Sequence, residues 1–320
     1  MYSLSQRRIY TGERPDAMAA KGNTCFSTPQ GWVLVVGEAS DAWLWHPLAG
    51  DTITLPPIHD DHYIPINCKC LLTDSSAAHP DCAVVLLDVA DPVMWFCKVS
   101  GGSDRRWGQH TYDIGDYQLP EEFRTPSTRT KAVIAEVAAL RGRLHFTSLE
   151  SRQEKMCIVD LGFPPDHGHP PTAQFRRFDV PDVHKFPQDM CSGTIFLVES
   201  LDELFAVCIC YVDFDVENIG AVLVYKMDFS GDESQEPLGW RRVSDVGDRA
   251  LLLTDNNMAT WCSASAHNLD GNTIYFLKTD DGDLCIYNIQ GQTMETVQVH
   301  NQDLEIVRTK PYWINLPPCL

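Results

Sequence analysis

AVLVYKMDF (Ala221–Phe229) begins as an unbroken apolar run and then alternates, the pattern of a strand buried on both faces for part of its length. A polar loop from Ser230 to Pro237 follows it, and WRRV (Trp240–Val243) reads as a short second strand. DRALLL (Asp248–Leu253) leads into ATWCSA (Ala259–Ala264). Asp270-Gly271 then carries the strongest hairpin signal of the chain, because a two-residue type I′ turn needs φ > 0 and glycine accepts it without a Cβ penalty. It is predicted to join Ala259–Ala264 to NTIYFL (Asn272–Leu277), and Asp281-Gly282 to lead on into Leu284–Ile289. The whole reads as strand and turn, four times over.

From Ile219 to Ile286 this is the spacing of one radial blade of a β-propeller. The phrases also carry a resemblance. An apolar strand ending in Tyr-Lys-Met-Asp, then Trp-x-x-Val, Val-Gly-Asp-Arg-Ala-Leu-Leu-Leu and Asn-x-Ile-Tyr-Phe, in that order, is similar to the plant KIB-type β-propeller family. The residues that match are Val224, Tyr225, Trp240, Val243, Gly247, Asp248, Arg249, Ala250, Leu251, Asn272, Ile274, Tyr275 and Phe276. The family is large in grasses, and its propeller often sits behind an F-box. The resemblance implies an all-β chain and, in F-box-bearing members, a substrate-recognition role, best understood for a kinase marked for ubiquitination.

The pattern repeats toward the N-terminus. GWVLVV (Gly31–Val36) is a strand rich in β-branched residues. Ala42–Leu55 reads as a hairpin whose turn is set by Pro47 and Gly50, and Pro56 ends its second strand because it cannot donate to a ladder. The phrase from Trp45 to Pro57 resembles the Asn-Pro-x-Thr-Gly-x…Leu-Pro phrase of plant F-box-associated propellers, with His46 in place of Asn and Ala49 in place of Thr. CAVVLLDV (Cys82–Val89) and VMWFCKV (Val93–Val99) form the next pair. Trp107 and Trp240 each follow paired strands, and each indole is expected to wedge between blades with its N–H on a backbone carbonyl.

KAVIAEVAAL (Lys131–Leu140) has helix-favouring alanines, yet the Arg141-Gly142 turn and RLHFT (Arg143–Thr147) make strand, turn, strand the reading. Lys155–Leu161 completes that blade, Phe163–Thr172 is a connecting loop, and Phe175–Val180 is predicted to begin another. Thr194–Glu199 and Leu204–Val212 form a hairpin around Leu201-Asp202-Glu203. Glu295–Val299 and Leu304–Val307 are the last predicted strands, with Pro311–Leu320 closing the ring. At roughly 40–50 residues per blade, residues 24–320 would hold about six four-stranded blades of a single propeller, behind a leader or partial strand over 1–23. Too little chain precedes the first strand to hold an F-box, which is read either as a member lacking the F-box or as a truncated sequence; without an F-box no direct contact with a ubiquitin-ligase scaffold is expected.

The formal net charge is −19, and Lys and Arg form no stripe, which argues against nucleic acid and for basic partners. No apolar run approaches the ~18 residues of a membrane span. Arg7 and Arg8 are followed by no apolar stretch, so no secretory signal is expected, and Glu13 and Asp16 interrupt an organelle-targeting pattern early. The 12 cysteines are scattered through a long chain. Cys68/Cys70 and Cys208/Cys210 are i, i+2 pairs that would share one face of a strand, and reduced, buried thiols in the cytosol or nucleus are the expectation.

No nucleophile elbow, Walker loop, dinucleotide fingerprint or His-Glu-x-x-His occurs. His59-Asp60-Asp61-His62 could hold a divalent ion, but brings no further ligand at a recognisable spacing and reads as a solvated loop. His167 and His169 sit among prolines and read as loop surface. Asp280, Asp281 and Asp283 start like a calcium loop whose twelfth position is Gly291 instead of Glu, so a hairpin turn is the plainer reading. Asp213, Asp215 and Glu217 could pair carboxylates for sugar hydrolysis, against a solvent-facing acidic loop. No catalytic, cofactor or metal residue is therefore assigned. The expected function is a non-enzymatic module binding an unidentified protein on one propeller rim; the alternative is a glycan-binding or glycoside-hydrolase-like propeller.

Overall fold

The computed structural model describes residues 2–4, 8–9, 22–58, 64–101, 105–117, 130–150, 153–164, 169–180, 187, 190, 192–231, 235–254, 257–278 and 283–298. Tyr2–Ser3 (β1) and Arg8–Ile9 (β2) pair antiparallel. All other described strands fall in five sheets. The chain divides into two compact units, Ala20–Asp179 and the remainder.

The Ala20–Asp179 unit holds three four-stranded antiparallel meanders. The first is Thr24–Ser27 (β3), Val33–Val36 (β4), Ala42–Trp45 (β5) and Thr52–Leu55 (β6). The second is Lys69–Leu72 (β7), Ala83–Leu87 (β8), Val93–Lys98 (β9) and Gly108–Thr111 (β10). The third is Ala138–Leu140 (β11), Arg143–Glu150 (β12), Gln153–Gly162 (β13) and Thr172–Asp179 (β14). β7 lies beside both β3 and β11, so the first strands of the three sheets are neighbours.

Burial grades across each sheet. In the second sheet all of Ala-Val-Val-Leu-Leu in the inner strand β8 is buried, whereas the edge strand β10 is half-exposed. A strand covered on both faces carries a continuous apolar run, and an outer strand need not. Between the first two sheets Leu34, Leu44, Leu72, Leu86 and Trp95 form one core with Trp107. The Trp107 indole donates to the Pro56 carbonyl at 2.9 Å, the wedge the sequence predicts. Trp240 lies within the fourth strand of its own sheet, opposite Met227, whereas Trp107 sits just before its own.

Besides the β1–β2 pair, the second unit holds two larger sheets. Ser192–Ser200 (β15), Glu203–Tyr211 (β16), Ile219–Phe229 (β17) and Pro237–Val243 (β18) form a four-stranded meander. Arg249–Leu253 (β19), Ala259–Ser263 (β20), Thr273–Leu277 (β21), Leu284–Asn288 (β22) and Thr293–Val297 (β23) form a sheet ordered β20-β19-β21-β22-β23. β20 runs alongside β15, and Val207, Val224, Leu251 and Ile274 pack in a shared core. Leu4 packs against Ala250, Leu252 and Tyr275 on the other side of that sheet.

Several expectations are corrected here. Ile219–Ile286 is not one blade: it supplies the outer half of one sheet and most of the next. Asp270-Gly271 is not a hairpin, since β20 pairs only with β19, and β21 lies parallel to β19. The chain crosses between them through a 3-10 turn at Ser265–His267. The positive φ values fall on Asn268 and Asn272, not on Gly271. Phe175–Val180 begins no new blade, because β14 closes the third sheet against β13. Lys131–Leu140 is a strand only from Ala138, the earlier residues running irregularly apart from one bridge at Lys131.

Among the described residues the larger sheets number five, close to the about six expected. The tightest turns do occur where predicted. Leu201 and Asp202 both have φ > 0 between paired Ser200 and Glu203, as do Arg141 and Gly142 between Leu140 and Arg143. That geometry matches the right-handed twist of the flanking strands. Asp281-Gly282, Leu304–Val307 and Pro311–Leu320 lie outside the described residues.

Candidate functional site

The signature residues around Val246–Leu253 build a clasp. Asn272 accepts from the Val246 N–H through its side chain at 2.5 Å, donates its own N–H to the Gly247 carbonyl at 3.0 Å, and accepts from Ile289 N–H at 2.8 Å. Asp248 accepts from the hydroxyls of Ser263 and Ser265, both at 2.7 Å, and from the Ser265 N–H at 2.9 Å. These bonds hold its carboxyl below the usual range. Arg249 reaches into the neighbouring sheet: it donates to Ser200 Oγ at 2.8 Å and Glu203 Oε2 at 2.7 Å, and lies 5.2 Å from the Phe205 ring centre.

Ser263, His267 and Asp248 superficially suggest a nucleophilic triad, but the Ser263 hydroxyl donates to Asp248 and His267 Nδ1 faces the Ser263 carbonyl at 2.8 Å. A triad needs the imidazole on the hydroxyl. The motif that makes the chain recognisable therefore holds two sheets together and does no chemistry of that kind.

The most perturbed ionisable side chains belong to the other unit. Lys69 in β7 is 5% exposed and donates its ammonium to the carbonyls of Ile134 (3.3 Å) and Ala135, just before β11. Glu136 is 7% exposed and accepts from the Thr147 hydroxyl. Burial lowers Lys69 to about 8 and raises Glu136 to about 7, each tempered by the other's charge. His145 in β12 is 3% exposed and is pushed down to about 4 by desolvation. Perturbed groups mark site candidates, yet Lys69 and Glu136 are spent on fastening the second sheet to the third. The sequence reading passed over all three, since a buried Lys or Glu looks like any other in one dimension.

Among the clusters raised from sequence, His59-Asp60-Asp61-His62, His167, Asp280 and Asp281 lie outside the described residues; His169 is exposed. Among the described residues no three His, Cys, Asp or Glu side chains converge as a metal site. Of the ten described cysteines, which form no disulfide with one another, all but Cys25 are buried, with Cys68 and Cys70 in one core and Cys208 and Cys210 in another. No described helix is long and apolar enough to cross a membrane.

Asp213, Asp215 and Glu217 lie just past β16, in the loop to β17. Two turns build it: Asp215 N–H donates to Val212 O and Asn218 N–H to Asp215 O, both at 3.0 Å, and Val212 N–H closes on Asn218 O at 2.9 Å. Asp215 Oδ1 accepts from the Glu217 N–H at 3.0 Å. Glu217 pairs with Lys278 at 3.5 Å. The carboxylates thus line a protruding tip, each of the latter two with a local partner.

Between them Phe214 is 72% and Val216 47% exposed. Asp213 and Phe214 have φ of 54° and 60°, a region that costs a residue with a Cβ about 1–2 kcal/mol. An exposed phenyl also forgoes the roughly 1.5–3 kcal/mol of burial. The alternation Asp-Phe-Asp-Val-Glu shows both features in the sequence, but the acids alone drew attention there.

Small sheets follow one another along the chain, with β7 beside β3 and β11 in one unit and β15 beside β20 in the other; they define the class, an all-β propeller with five blades among the described residues. The chain matches the KIB1-4 beta-propeller family over residues 1–288 and belongs to it. No curated protein matches it. Among solved structures, the Cps50 (Swd1) β-propeller domain of Myceliophteria thermophila is similar at 8% identity and a TM-score of 0.40, over 93% of this chain and 79% of its own. A GH43 β-1,3-galactosidase with galactodeoxynojirimycin aligns at 10% identity and 0.29, over 90% and 92%. An aldose sugar dehydrogenase of Streptomyces coelicolor aligns at 11% and 0.23, over 87% and 78%. Likenesses this distant bear on no function.

Proposed function

We propose that this propeller is a non-enzymatic module that binds another protein through loops at the ends of its strands, in the manner of the substrate-recognition part of plant F-box proteins. The observation that carries the reading is a division of labour among side chains. The ionisable groups with strongly shifted pKa are consumed inside and between sheets, whereas the large apolar side chains Ile66, Leu201, Phe214 and Val216 stand exposed on turns. Loops on a rigid scaffold are where recognition concentrates, and apolar groups left in water on them are the raw material of an interface. Buried cysteines without a disulfide among the described residues suit a reducing compartment, cytosolic or nuclear.

Affinity purification of the full chain with mass spectrometry, beside a glycan array, tests this. Recovery of a discrete protein partner is expected. Retention on glycans with no protein partner would replace the reading with a carbohydrate-directed propeller using Asp213, Asp215 or Glu217.

A further inference from the structure

We propose that the β16–β17 loop, Val212–Asn218, is the docking point for a basic segment of a partner protein that carries an apolar side chain. The inference rests on the protein-binding reading above and adds the place and the chemistry.

Phe214 and Val216 project from a tip whose backbone is closed by three main-chain hydrogen bonds and one from Asp215, so the ring is displayed by a pre-formed loop. Nothing in the fold calls for a phenyl there. Asn would satisfy the left-handed backbone at 214 better, and its own chain leaves Phe214 72% exposed. The pair is collared by Asp213, Asp215 and Glu217, and the loop from Val212 to Asn218 contains no Lys or Arg. Lys278 beside Glu217 supplies one counter-charge.

An apolar anchor flanked by three carboxylates against the single counter-charge of Lys278 suits a partner with Lys or Arg flanking a hydrophobic side chain. It disfavours polyanions, acidic lipid surfaces and a second copy of a chain of net charge −19. The ring would supply the anchor and the acids the steering.

The test uses the full chain and two variants that the loop tolerates, because Asn accepts positive φ: Phe214→Asn and Asp213→Asn. The probe is a fluorescein-labelled twelve-residue peptide with a central Leu-Trp flanked by Arg and Lys, read by anisotropy beside a Glu-flanked twin and a basic peptide without apolar residues. Wild type is expected to prefer the basic apolar peptide. Phe214→Asn should weaken it about tenfold or more, as loss of an aromatic anchor does. Asp213→Asn should weaken it about two- to threefold and flatten its salt dependence.

Binding that ignores Phe214→Asn, that is as strong for the basic peptide lacking apolar residues, or that favours the Glu-flanked twin would overturn the proposal. So would a wild-type dimer abolished by Phe214→Asn. Affinity purification with wild type and Phe214→Asn separates the two levels. A partner recovered equally by both removes this site and leaves the protein-binding reading standing; no partner even with wild type removes that reading itself.

Discussion

A Cβ placed on Gly271 would stand 2.9 Å from the carbonyl oxygen of Gly247. The crossover into β21 passes this close because Asn272 N–H must reach that same carbonyl. Glycine is therefore required at 271 for lack of a side chain and not for a left-handed turn. Gly271→Ala is expected to cost about 1–3 kcal/mol through backbone displacement, whereas Asp270→Asn, which leaves the approach untouched, should stay within about 0.5 kcal/mol. Urea unfolding of both variants checks this, and equal stabilities would return position 271 to an ordinary turn.

Arg249 ties its sheet to Ser200 and Glu203 with a side chain only 15% exposed, and Ser200 is fully buried. Arg249→Ala should cost about 2–4 kcal/mol, since it strands a buried hydroxyl and a partly buried carboxylate. Arg249→Lys should recover less than half of that, because an ammonium cannot span both acceptors. A double-mutant cycle with Glu203→Gln is expected to give a coupling of about 1 kcal/mol, and strict additivity would deny the link.

Glu136 and His145 give opposite acid responses. Glu136 is raised on folding, so its contribution is present below its ordinary value of 4.5 and is lost as pH climbs to about 7. His145 is lowered on folding, so its contribution is present above 6.5 and is lost as pH falls toward about 4. Between about pH 5 and 6.5 the two slopes offset. Glu136→Gln should expose the histidine's slope, with stability falling by up to about 2 kcal/mol on acidification across that window. Denaturant titrations at four pH values decide it; a variant as flat as wild type would show that His145 is not held neutral.

Trp107 fills the seam between the first two sheets, and its indole N–H is held by Pro56. Trp107→Phe keeps most of the volume and should cost about 1 kcal/mol for the lost hydrogen bond. Trp107→Ala adds a cavity and should cost about 3–5 kcal/mol. Thermal unfolding of the pair separates bond from volume: near-equal losses would mean that the hydrogen bond carries the seam.

By itself the sequence determined what depends on neighbours in the chain. The apolar runs of β8, β16 and β17, the turns at Arg141-Gly142 and Leu201-Asp202, the seam indole at Trp107 and the family phrase from Val246 to Phe276 are all legible in one dimension, since apolar patterning, turn chemistry and bulk act over a few residues. Tertiary structure alone decided which strands share a sheet. β19 pairs in parallel with β21 although β20 lies between them in the chain, because hydrogen-bond register across a crossover leaves no periodic mark. Only folding, too, buries Lys69, Glu136 and His145 or leaves Phe214 in water, since burial is a property of what the rest of the chain brings alongside.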